Sequence, residues 1–78
     1  MSTQHLKNVD LKLFRKFLEA QGCKKIRTKG GHETWTRKDL LRPIVLQSHI
    51  DPIPEFIVKN SLKLLGCNKD DFHDWIIN

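Results

Sequence analysis

The chain has 78 residues, with 14 lysines and arginines against 9 acidic residues and a net charge of +5. This length allows one hydrophobic core, so we expect a single domain over residues 1–78. No apolar run approaches the roughly 20 residues of a membrane span, and the N-terminus lacks the apolar segment of a secretory signal. We therefore expect a cytoplasmic protein that has no membrane partner.

The first predicted element is a helix over residues 9–21, where apolar residues recur at helical spacing. Asn8 is the expected N-cap, and Asp10 would bring negative charge to the first turn. Gly22 stands where a helix commonly ends with a residue in the left-handed conformation.

Three strands are predicted next, over residues 23–29, 32–37 and 41–47. Gly30 and Gly31 separate the first two, and adjacent glycines indicate a tight hairpin turn because such turns need positive φ. Pro43 lacks an N–H group, which indicates that the third strand lies at an edge of the sheet.

A second helix is predicted to start near Pro52 or Pro54, to continue to Leu65 and to stop at Gly66. A short amphipathic helix follows, with Asn68 at its start. The expected fold is α+β, a two-layer α-β-β-β-α domain with a three-stranded antiparallel sheet and a short extra C-terminal helix.

The two cysteines, Cys23 and Cys67, are far apart in sequence and show no Cys or His spacing typical of a zinc site. We interpret them as small buried hydrophobic residues rather than a disulfide. No metal and no cofactor are expected.

Strand alternation determines which side chains of the second strand face the helices. Trp35 is the best core anchor, so His32, Thr34 and Thr36 are expected on the opposite, uncovered face of the sheet. From the residues alone, a histidine that only fills a strand position is the simpler interpretation of His32. For His49, after the third strand, a loop role and a role near a phosphate both stay open.

Basic residues cluster around the predicted hairpin, and the positive electrostatic potential of such a cluster attracts polyanions. By charge alone, nucleic acid is the leading partner and an anionic membrane or an acidic protein are its rivals, although we expect no membrane partner. The candidate nucleic-acid-binding residues, which become RNA-binding residues if the family resemblance described next holds, are Lys24, Lys25, Arg27, Lys29, Arg37 and Lys38.

Four short segments together resemble the HicA (YcfA-like) toxins of bacterial toxin–antitoxin pairs. They are a helix ending in Gln21-Gly22, Gly30-Gly31-His32 after a basic strand, a third strand that closes on His49, and a helix ending Leu65-Gly66. The chain departs from the family pattern at Gly31, where a serine is usual, and at Gln47, where a proline is usual.

The resemblance implies the fold of double-stranded-RNA-binding domains, cleavage of mRNA with His32 as the catalytic residue, and a HicB antitoxin as protein partner. Because the sequence offers no carboxylate cluster suited to Mg²⁺, our hypothesis is metal-independent attack of the RNA 2′-hydroxyl on the adjacent phosphate. His49 is assigned at most an auxiliary role. Two alternatives remain: a non-catalytic RNA-binding module, and an interaction domain for an acidic protein.

Overall fold

The computed structural model describes residues 6–77. This part of the chain confirms the expected α+β class, with three helices and a three-stranded antiparallel sheet. The elements are α1 (Leu11–Ala20), β1 (Lys24–Lys29), β2 (His32–Thr36), β3 (Ile44–Gln47), α2 (Glu55–Leu65) and α3 (Lys69–Ile77). No helix of residues 6–77 is both long and apolar enough to cross a bilayer.

The sheet has the order β1-β2-β3, so β3 lies at an edge as Pro43 predicted. Trp35, Ile44 and Leu46 are buried against the helices, whereas Val45 between the last two is 43% exposed. This alternation gives two layers, with helices on one sheet face and the other face uncovered within the described residues. The helices contribute Leu11, Phe14, Phe17, Leu18, Val58, Leu62, Leu65 and Phe72 to the core.

The start of α1 differs from the sequence prediction. Asp10, not Asn8, is the N-cap, and its carboxylate accepts a hydrogen bond from Leu13 N at 3.1 Å. Asn8 instead lies in a bend two residues before the N-cap and has φ of 58°, in the left-handed region that asparagine tolerates. A second carboxylate, Asp51, accepts a hydrogen bond from Leu11 N at 3.0 Å, so two acidic residues satisfy two of the free N–H groups of the first turn.

The predicted start of the third strand at residue 41 is also wrong, because β3 begins at Ile44. Residue 43 is a proline and cannot extend the ladder. Gly66, which has φ of 75°, confirms the predicted end of α2. The predicted start of α3 is confirmed by two hydrogen bonds that Asn68 and Asp71 exchange. There Asn68 Oδ1 accepts from Asp71 N at 2.8 Å, and Asp71 Oδ2 accepts from Asn68 N at 2.9 Å.

Both cysteines are free thiols, which confirms their interpretation as unlinked residues. Cys23 is buried in the core, and Cys67 is half-buried at its margin. Burial raises the pKa of each thiol, which favours the neutral form of both side chains.

Candidate active site

The hairpin between β1 and β2 fixes the position of His32. Gly30 and Gly31 both have positive φ, 57° and 80°, as a two-residue turn of this kind requires. Lys29 and His32 are the pair that closes the turn. Paired residues on neighbouring strands have Cβ atoms about 5 Å apart on one face, so the side chains of Lys29 and His32 start from adjacent positions.

The uncovered side of the sheet is called the open face here. Its members follow from the strand register, because paired residues share a face. Three cross-strand rows make up this face: Lys24 with Thr36, then Arg27 with Thr34 and Val45, then Lys29 with His32 and Gln47. His32 is exposed, as strand alternation predicted, and three of the candidate RNA-binding residues share its face.

A β-bulge explains how Lys24, Arg27 and Lys29 come to share this face. The register shifts between Lys25 and Arg27, so Ile26 is the extra residue. Without it, simple alternation would put Lys24 and Arg27 on opposite faces. The bulge therefore collects cations on one side of β1.

Two other candidate RNA-binding residues lie elsewhere. Lys25 pairs with Trp35 and so belongs to the helix-side register, although its side chain is exposed at the edge. Lys38 lies in the turn after β2, at the end of the strand opposite to His32. The last residue of β2, Thr36, is four positions from His32, which corresponds to about 13 Å, and Lys38 lies beyond it.

Arg37 has a structural role that the sequence prediction did not include. Its Nε donates to Asp39 Oδ1 at 2.5 Å, and its terminal nitrogens donate to the backbone oxygens of Gln21 at 2.6 Å and Leu65 at 3.5 Å. These carbonyls lie at the C-terminal ends of α1 and α2, where helices have free acceptors. Arg37 is therefore used to join two helix ends to the sheet and does not point to the open face.

His49 lies against the hairpin turn. Ser48 donates two hydrogen bonds to the carbonyl oxygen of Gly31, from its N at 2.8 Å and from its Oγ at 3.1 Å. A Cβ on Gly31 would lie 3.0 Å from His49 Nδ1 and 3.3 Å from Cε1. The turn thus brings His49 next to the residue that precedes His32, and a serine at position 31 would crowd the imidazole.

Glu33 is the residue that sequence reasoning missed. It is only 2% exposed, and Arg15 Nε donates to its two carboxylate oxygens at 3.0 and 3.1 Å. Trp35 Nε1 donates to Glu33 Oε1 at 3.1 Å. The Arg15 hydrogen bonds lower the pKa of Glu33, so the carboxylate stays ionised and ties β2 to α1 directly behind His32. The sequence did contain a signal for this ion pair. Glu33 shares the core side of β2 with Trp35, and a buried carboxylate needs a partner of opposite charge.

No three His, Cys, Asp or Glu side chains of residues 6–77 come together as a metal site. Comparison with known proteins identified no relatives: no family model, no curated protein and no solved structure matches the chain.

Proposed function

We propose that this chain is a HicA-like toxin, an endoribonuclease that cleaves mRNA with His32 as the catalytic residue. The observation that carries the proposal is the combination on the open face of an exposed imidazole with Lys24, Arg27 and Lys29 on the adjacent strand. The order of helices and strands agrees with the fold of double-stranded-RNA-binding domains, and we propose that relationship as well.

The proposed chemistry uses a nucleophile that RNA itself carries. The 2′-hydroxyl loses its proton and attacks the adjacent phosphorus, and the leaving 5′ oxygen gains a proton. Imidazole, with an ordinary pKa of about 6.5, accepts or donates protons near neutral pH. Lys29 is the cross-strand partner of His32, and from there its flexible side chain can bring an ammonium group to the phosphate oxygens and stabilise the charge that develops on them.

A HicB-type antitoxin is the proposed protein partner, and it would act by covering the open face. In the experiment that tests the function, the chain and its His32→Ala variant are expressed and growth and total mRNA integrity are followed. We expect growth arrest and mRNA loss with the wild-type chain only. Equal toxicity of the variant would exclude His32 as the catalyst.

The three cations of the open face predict a specific dependence of RNA binding on salt. Replacing Lys24, Arg27 and Lys29 with glutamine should lower the slope of log affinity against log salt by about 2, because each phosphate contact on single-stranded RNA contributes about 0.7. The measurement is fluorescence anisotropy with a labelled single-stranded RNA between 50 and 200 mM salt.

A matched control variant removes three positive charges from the helices instead of from the open face. Lys12, Lys16 and Lys59 are exposed on α1 and α2, and their triple glutamine variant should keep most of the wild-type slope. Equal slopes for the two triple variants would show that net charge alone, not the open face, binds RNA. Salt-dependent binding without cleavage would favour the alternative function, a non-catalytic RNA-binding module.

A further inference from the structure

His49 lies on the loop after β3, which is hydrogen-bonded to the turn of the β1–β2 hairpin. The Gly31 carbonyl oxygen accepts two hydrogen bonds from Ser48, the residue immediately before His49. In addition, His32 pairs with Gln47 in the β2–β3 ladder. Three consecutive residues, 47 to 49, therefore follow the backbone of residues 31 and 32.

The absence of a side chain at Gly31 is what admits the His49 ring. The ring atoms Nδ1 and Cε1 lie 3.0 and 3.3 Å from where a Cβ would stand, closer than nearly all real contacts of a Cβ. Gly30, the other residue of the turn, has nothing within 4 Å of its own Cβ position. Only one of the two glycines is therefore needed for space, and it is the one next to His32.

Both imidazoles lie at the turn end of the β1–β2 hairpin, because His49 packs against Gly31, the residue before His32. Consecutive Cα atoms are about 3.8 Å apart. The His49 ring therefore packs against a residue whose Cα is one such step from the Cα of His32. Both histidines are exposed, so RNA can reach them. Neither side chain makes a hydrogen bond within residues 6–77 that would occupy its ring nitrogens.

We infer that His49 is a second catalytic residue, which shares the two proton transfers of RNA cleavage with His32. This inference rests on the proposed ribonuclease function. One imidazole accepts the proton of the 2′-hydroxyl while the O2′–P bond forms. The other donates a proton to O5′ while the P–O5′ bond breaks, which leaves a 2′,3′-cyclic phosphate and a 5′-hydroxyl. Solvent then restores both protonation states.

The test uses a short RNA in which the bridging 5′ oxygen at the cleaved linkage is replaced by sulfur. A thiolate leaves without being protonated, so this substrate does not need a general acid. On ordinary RNA we expect His49→Ala and His32→Ala each to cleave about 10²-fold or more slowly than wild type. On the sulfur substrate only one of the two variants should return to within about tenfold of the wild-type rate, and that variant has lost the proton donor.

Each other outcome of this test counts against the inference. Cleavage of ordinary RNA by His49→Ala at nearly the wild-type rate overturns it, as does rescue of neither variant or of both. If the wild-type chain cleaves neither substrate, the ribonuclease proposal itself fails, which is a different result from an active wild type with an unaffected His49→Ala variant.

A second pair of variants tests the position of the ring without removing it. Gly31→Ala brings a methyl group against His49, whereas Gly30→Ala adds the same methyl group in open space. Both positions have left-handed φ, so the backbone strain that an alanine adds is similar in the two variants. We expect Gly31→Ala to cleave at least tenfold more slowly than Gly30→Ala at equal RNA affinity, and equal rates would overturn the inference.

Discussion

Replacing His32 with alanine should reduce the rate of RNA cleavage about 10²–10⁴-fold, the usual contribution of one general acid–base group. The fold should be unaffected, because His32 is exposed and surface substitutions change the free energy of unfolding by less than about 0.5 kcal/mol. The measurement is single-turnover cleavage of an end-labelled RNA, together with thermal unfolding of both proteins.

Thr36→Ala provides a control on the same strand and face. Thr36 lies at the other end of β2, beside Lys24, and carries no group that titrates near neutral pH. Its alanine variant should cleave RNA at close to the wild-type rate. A His32→Ala protein that folds normally and cleaves as fast as the Thr36→Ala protein would remove His32 from the mechanism.

Replacing Glu33 with glutamine should lower the free energy of unfolding by about 2 kcal/mol. The substitution leaves Arg15 without its ionic partner behind the sheet. The Arg15 side chain is 34% exposed, so water partly compensates, and the cost stays below the roughly 3–5 kcal/mol of a fully buried pair. For a domain of this size the melting temperature should fall by about 8–16 °C, measured by circular dichroism.

The same ion pair predicts a dependence of stability on pH. The fold lowers the pKa of Glu33 from its ordinary value of 4.5, so the native state favours the ionised carboxylate. The stabilisation is therefore fully present above about pH 4.5 and is lost as the pH falls below it through the folded pKa. The difference between wild type and Glu33→Gln should be largest at pH 7 and should shrink at pH 3.

Glu19→Gln is the control for this effect, because Glu19 is an exposed carboxylate on α1. It should change the melting temperature by no more than about 2–4 °C at either pH. If both glutamine variants melt alike at pH 7, the Arg15–Glu33 pair does not anchor β2.

The local features of the fold were predictable because they depend on neighbouring residues. Two adjacent glycines predict the hairpin, and the alternation around Trp35 predicts that His32 faces away from the helices. The reciprocal cap of α3 follows from Asn68 and Asp71, three residues apart.

What the sequence did not predict depends on contacts between distant residues. The first turn of α1 uses Asp51, which lies 40 residues away. The Arg37 guanidinium donates hydrogen bonds to the C-terminal ends of α1 and α2, so it is not part of the candidate RNA-binding face. The spacing of apolar and polar residues along the sequence does not predict hydrogen bonds between residues so far apart.

The candidate site was predicted in part, for the same reason. The sequence predicted that His32 lies on the uncovered face near basic residues, but the bulge at Ile26 decides which cations share that face. A bulge adds one residue and reverses the alternation, and the sequence of β1 does not mark where this happens. The approach of His49 to Gly31 likewise requires the loop after β3 to return to the hairpin.

The central claim is that this chain cleaves RNA through the 2′-hydroxyl, and the chemistry of the product ends tests it most directly. The purified protein is incubated in EDTA with a short labelled RNA, and its products are analysed by mass spectrometry. We predict 2′,3′-cyclic phosphate and 5′-hydroxyl ends, and no cleavage when the nucleotide before the cut lacks its 2′-hydroxyl. Intact RNA, or products with 5′-phosphate ends, would contradict the claim.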